Sequence, residues 1–230
     1  MENNKGSHKE EIWVENLCKK INENENFKSW AKDRYVIKDN VSLAHSISLN
    51  NLVEFKESDS KKNKYSVSII DNLSSKNLKN NTEMWNVDLF IGEKVNKNDA
   101  EYIIPRLVIE AKYKNINTHD PITYSHKAYL QKNLFPGLRY GVIIGDYGID
   151  KKEENIYIPT RVVEYGENFD FIFLFNEYAN DIEINKFIEI IKKNIEIAEK
   201  LDNLNKDKNN RYQCIMKNIE FDPNFSENKD

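Results

Sequence analysis

Asp88, Glu110 and Lys112 are the residues of this chain whose types and spacing could do chemistry. Val87-Asp88-Leu89-Phe90 places an acid inside an apolar run, and Leu107-Val108-Ile109-Glu110-Ala111-Lys112 ends another run on an acid followed two positions later by a lysine. On a strand, residues two apart point to the same face, so Glu110 and Lys112 project together. A hairpin turning near Asn98 would set Asp88 across from residues 108 to 110. Two carboxylates and an ammonium then converge, as phosphodiester hydrolysis requires. Hard carboxylate oxygens hold Mg²⁺, the cation stabilises charge on the phosphate, and the lysine orients or activates the attacking water.

Convergence carries a register condition. Asp88 and Glu110 share a face only if paired positions on the two strands have an even sum, which takes an odd loop or one bulge. Pro105 has no N–H to give to a ladder, so the second strand offers a place for a bulge or an edge. The acid-any-Lys pattern recurs at Glu54-Phe55-Lys56, Asp59-Ser60-Lys61, Asp150-Lys151-Lys152 and Glu227-Asn228-Lys229. The last three sit in polar runs. Glu54-Lys56 follows Leu52-Val53 and has Asp39 upstream, but it lacks a convincing second strand and a basic helix after it. The alternative for the 88/110/112 set is a pair of solvated strand acids with a surface lysine. Against it, acids are disfavoured in strand interiors and unpaired buried carboxylates are costly, whereas a cation resolves both.

The elements that must position these residues follow from periodicity. Ser7 to Ile21 carries Ile12, Trp13, Leu17 and Ile21 at helical spacing, with Ser7 as N-cap and Glu10 three residues on. From Phe27 to Asn80 the signal is weaker, with Tyr65, Val67 and Ile69 alternating as in a strand. Trp85 to Val95 and Tyr102 to Tyr113 read as strands joined by a turn, and Ile122 to Leu134 as a helix opened by Pro121 and stopped at Pro136-Gly137. Tyr140 to Ile144 and Phe169 to Phe175 read as buried strands, and Glu183 to Leu201 as a long amphipathic helix. This order predicts an α/β domain with a central mixed β-sheet flanked by helices, over residues 1–204, followed by a polar tail at 205–230.

Composition narrows the classes. With 230 residues, one large domain is expected. Cys18 and Cys214 lack partner ligands at metal spacing, and no apolar run approaches bilayer-spanning length, so a cytoplasmic protein is expected. The net charge of −4 does not advertise nucleic-acid binding. Non-specific DNA-coating proteins are usually basic overall, but a cleft enzyme needs only a local positive surface. The charge is uneven, however: between Lys112 and Arg139 stand five Lys or Arg against the single acid Asp120. No Gly-rich phosphate loop, Gly-x-Ser-x-Gly elbow, His-Glu-x-x-His or Cys-x-x-Cys is present.

Over roughly Trp85 to Tyr147 the chain resembles the PD-(D/E)xK nucleases, the restriction-endonuclease-like fold, with Val87 where a proline often precedes the Asp. The resemblance implies Asp88, Glu110 and Lys112 as catalytic residues, Asp88 and Glu110 as ligands of Mg²⁺ (Mn²⁺ substituting), and a further acid from the first helix, Glu15 or Glu11. It implies double-stranded DNA as partner. In the helix that follows, Lys127 and Gln131 share a face and, with Lys114, Lys132 and Arg139, are candidates for contact with DNA. The compact chain, with additions near 27–80 and 145–168 suited to reading bases, resembles type II restriction endonucleases. These act as homodimers, with a cognate DNA methyltransferase on the same site. A repair, recombination or transposon nuclease of the same fold is the first alternative, and a non-catalytic nucleic-acid- or protein-binding domain the second.

Overall fold

The structure is a computed structural model that describes residues 3–44, 53–57, 65–69, 84–97, 100–114, 116–146, 160–176 and 179–206. In chain order the elements are α1 (Asn3–Glu23), α2 (Glu25–Ala31), β1 (Tyr35–Ala44), β2 (Val53–Glu57), β3 (Tyr65–Ile69), β4 (Met84–Lys97), β5 (Ala100–Tyr113), α3 (His119–Leu134), β6 (Arg139–Gly145), α4 (Thr160–Tyr165), β7 (Phe171–Phe175) and α5 (Asp181–Lys206). The strands form one mixed sheet in the order β2-β3-β1-β4-β5-β6-β7. β1, β4 and β5 run antiparallel in succession, and β6 and β7 continue parallel to β5. Helix α3 supplies the crossover that a parallel β5–β6 pair needs. This α/β arrangement, a mixed sheet flanked by helices, is the one the sequence predicts. No helix among the described residues is long and apolar enough to cross a membrane.

Two apolar layers hold the sheet. On one face α1, α2 and α5 pack against β5 through Leu107, Ile109 and Ala111; on the other, Ala128 of α3 and Val162 of α4 cover Val108, Val142 and Ile144. Strand β6, sandwiched between the layers, is buried at every position, as a central parallel strand should be. The buried stripe of α1 is Val14, Leu17, Cys18 and Ile21, while Ile12 is 45% exposed. Those four positions follow the i, i+3, i+4, i+7 rule, and Ile12 lies about 200° around the helix from Val14. Helix α5 opens with a reciprocal cap: Asn180 Oδ1 accepts the Glu183 N–H at 3.0 Å, and a Glu183 carboxylate oxygen accepts the Asn180 N–H at 3.1 Å. Helix α3 starts two residues before Pro121, because Asn117 Oδ1 accepts the His119 and Asp120 N–H groups and leaves the proline in the first turn.

The segment near 27–80 is not only an addition to the core. Tyr35–Ala44 is an integral strand whose nine paired positions with β4 run from Tyr35↔Glu93 to Ala44↔Met84. Its pattern is blurred by Lys38-Asp39-Asn40 and by Asn40 at φ 50°, a positive-φ residue that interrupts the alternation. Helix α2, capped by Asn24, is a further element of this segment. Most of 145–168 and the tail beyond Lys206 lie outside the described residues.

The β4–β5 hairpin meets the register condition through a bulge. From Lys97↔Ala100 to Gly92↔Pro105 the paired positions have an odd sum; from Ile91↔Leu107 to Leu89↔Ile109 the sum is even. Arg106 is the extra residue, and Pro105, which lacks an N–H, stands beside it. Gly92 completes the bulge, since a Cβ there would lie 2.2 Å from Ile103 Cγ2 and 2.7 Å from the Phe90 ring. The buried Arg106 guanidinium binds Glu93, which Arg34 also grips, and reaches Asp202 at 3.3 Å. These ion pairs fix the extra residue in place.

Candidate active site

Past the bulge, the β4–β5 register continues to put Asp88 opposite Glu110. Asp88 Oδ2 accepts the Ala111 N–H at 2.7 Å, so the carboxylate closes the ladder where the paired backbone ends. Asp88 and Glu110 lie close enough for the Glu110 carboxylate to act electrostatically on Asp88. Burial, then the Glu110 charge, pushes the Asp88 carboxyl well above the ordinary range, against the Ala111 N–H, which pulls it down.

Glu110 is 2% exposed, and two donors meet at its Oε1: the Tyr140 hydroxyl at 2.7 Å and Lys127 Nζ at 3.0 Å. Tyr140 comes from the neighbouring strand β6 and is wholly buried. Its hydroxyl is pushed far up by burial and by Glu110, so it remains a proton donor to the carboxylate. Lys127 comes from α3, with its ammonium 5.6 Å from the Tyr124 ring centroid and 3.1 Å from the Asn86 carbonyl.

Lys112 shares the Glu110 face but takes other partners, Glu10 Oε2 and Asp120 Oδ1, each at 3.7 Å. Glu10 does not serve the Ser7 cap expected of it; its Oε2 accepts the Tyr113 N–H at 2.9 Å and ties α1 to the end of β5. The first-helix acid beside the strand is therefore Glu10, while Glu11 and Glu15 are both exposed. Helical rotation accounts for the choice. Glu10 is a full turn before Val14 and so lies on its side, whereas Glu11 and Glu15 are rotated toward solvent.

The basic segment is not a positive surface strip. Arg139 is buried, 3.0 Å from Asp170 and 3.2 Å from Asn194. Lys132 is 2.7 Å from Asp170 and donates to the Asn168 carbonyl. Both are held in ion pairs by a buried carboxylate on the β6–β7 side, which is costly to leave without them. Gln131 shares its helix face with Lys127 as expected, and it is fully buried. Lys114 is about half exposed and paired with Asp146 at 2.6 Å.

Among the described residues, no group of three or more His, Cys, Asp or Glu is arranged to hold a metal ion. The donor set that converges is Asp88 with Glu110. Two carboxylates suffice for Mg²⁺, which keeps several waters and takes its remaining oxygens from substrate phosphate. A cation would relieve two acids set opposite each other by the hairpin register, Glu110 being buried, so the residues fit a hard divalent ion. The competing Glu54-Lys56 pair lies on β2, where its cross-strand partners on β3 are Ser68 and Ser66. The open groove lined by Ile122, His126, Tyr129 and Tyr165 lies between α3 and α4 and includes neither carboxylate.

No family model matches the chain, and no curated protein matches it. Among solved structures, the chain is similar to a DNA complex of the pre-specific restriction endonuclease BsaWI, with TM-score 0.29 and 16% sequence identity. The match covers 48% of this chain and 41% of that one, so the chain spans less than half of that endonuclease. A likeness at this level assigns neither a family nor an activity.

Proposed function

We propose that this chain is a Mg²⁺-dependent endonuclease that hydrolyses phosphodiester bonds of double-stranded DNA. The observation that carries the reading is the convergence of Asp88 and Glu110, one from each strand of a hairpin whose bulge turns them to the same face. A cation bound there supplies Lewis-acid stabilisation of the phosphate charge. Asp88 and Glu110 offer the oxygens, and the Ala111 N–H orients the Asp88 carboxylate. Tyr140 fixes the Glu110 rotamer through Oε1, leaving Oε2 unclaimed by either the tyrosine or Lys127. Lys112 holds a proton-bearing ammonium two residues beyond Glu110, steadied by Glu10 and Asp120, in position to orient a water. Mn²⁺ substitutes for Mg²⁺ in this reading.

Within that class, we favour a type II site-specific restriction endonuclease that works as a homodimer, paired with a DNA methyltransferase of the same specificity. Digestion of a long unmodified DNA with Mg²⁺, followed by sequencing of the ends, tests it. Discrete fragments with a common end sequence support restriction. Nicking selective for branched substrates moves the assignment to repair or recombination. No cleavage under any divalent metal, with Glu110→Gln equal to wild type in metal binding, sinks the enzyme reading.

A further inference from the structure

The ammonium nearest the carboxylate pair is not that of the strand lysine. Lys127 Nζ lies 3.0 Å from Glu110 Oε1, whereas Lys112 Nζ lies 3.7 Å from each of two other acids. Lys127 belongs to α3, and its side chain is 18% exposed, against 2% for Glu110. One end of the contact is thus sealed inside the fold while the other keeps an outlet to solvent. The lysine also has a second acceptor in the Asn86 carbonyl at 3.1 Å and an aromatic neighbour in Tyr124. It can therefore leave Glu110 without becoming a stranded buried charge. Glu110, 2% exposed, has no such outlet and is costly to leave without a compensating cation.

Resting on the nuclease reading above, we propose that Lys127 is the resident counter-ion of the Asp88–Glu110 pair and must leave Glu110 before a divalent cation can be taken up. Lys127 and the cation compete for one carboxylate, since two positive charges a few ångströms apart repel strongly at this depth. DNA relieves the competition: a phosphate oxygen gives the displaced ammonium a new partner, so DNA binding and cation uptake favour each other. The resting protein is thereby a weak cation binder.

Calorimetric titration with Mn²⁺ in the absence of DNA tests this without reference to cleavage. Removing the competitor in Lys127→Met is expected to tighten Mn²⁺ binding by about tenfold, while Lys112→Met stays within about twofold of wild type. Lys127→Gln carries the same expectation and keeps a neutral donor toward Asn86 should methionine impair folding. Unchanged or weaker Mn²⁺ binding in both Lys127 variants would overturn the counter-ion role while leaving the metal centre standing. No Mn²⁺ binding by wild type or any variant would overturn the metal centre and the counter-ion with it.

Discussion

Replacing Asp88 by asparagine should stabilise the metal-free protein while destroying its proposed activity. Asparagine keeps an oxygen to accept the Ala111 N–H and gains an amide that can donate to Glu110, without the second negative charge. Two unit charges 4 Å apart repel by about 4 kcal/mol at an effective dielectric of about 20. Lys127 and Tyr140 on Glu110 offset much of that, leaving about 1–2 kcal/mol to be recovered. For a chain of this size each kcal/mol moves Tm by about 2–4 °C, so Asp88→Asn should melt about 2–8 °C above wild type at alkaline pH. The pH dependence has a fixed sign. The Asp88 carboxyl is held above its ordinary value of 3.8, so between that value and its raised one the folded chain binds more protons than the unfolded chain. Wild-type stability falls as pH rises through this window and the full penalty stands above it. The gap between variant and wild type should therefore widen from acid to alkaline pH. Differential scanning calorimetry in chelator across that range measures it. A parallel series with Mg²⁺ should raise the wild-type Tm and leave the variant unmoved. A variant that melts below wild type at alkaline pH, or a gap independent of pH, would refute the reasoning and make Asp88 a structural acid.

Other substitutions separate the roles assigned above. Glu110→Gln should abolish Mg²⁺-dependent plasmid cleavage, a loss of about a thousandfold or more, while circular dichroism stays native. Glu10→Gln should lower cleavage through Lys112 and the Tyr113 N–H, whereas Glu15→Gln, on an exposed position, should leave it within about twofold in the same assay. Asp170→Ala should cost about 3–5 kcal/mol in urea denaturation, because it strands Arg139 and Lys132. Lys114→Ala should leave stability unchanged and, in DNA-binding titrations across salt concentration, reduce the salt slope by about one.

The parts of this molecule legible in the sequence were those where one local signal outweighed the rest. The two hairpin strands, the late helix and the buried strands showed because their apolar runs answer to one layer each, and the acids inside those runs stood out. Strand β1 did not show. Its pairing with β4 supplies the order that Lys38-Asp39-Asn40 removes from the local pattern. Glu10 was legible only as a cap, since its contact with Tyr113 spans 103 residues and leaves no trace in spacing. The charge count could not show the ion pairs of Arg139 and Lys132 for a similar reason. Their partner Asp170 lies just before β7, and a sum over a segment ignores what the fold places beside it.

The bulge at Arg106 gives the hairpin something like a reading frame. Residues on the tip side are paired in one phase and those at the chemical end in the other, with the shift confined between Gly92 and Ile91. The tip can grow or shrink by matched pairs of residues and the carboxylates still face each other. A single residue gained between Arg106 and Glu110, or between Asp88 and Ile91, throws the chemical end out of phase and turns one acid into the α1–α5 layer. Length variation in this hairpin should therefore fall outboard of Arg106, while the stretch inboard of it keeps its count.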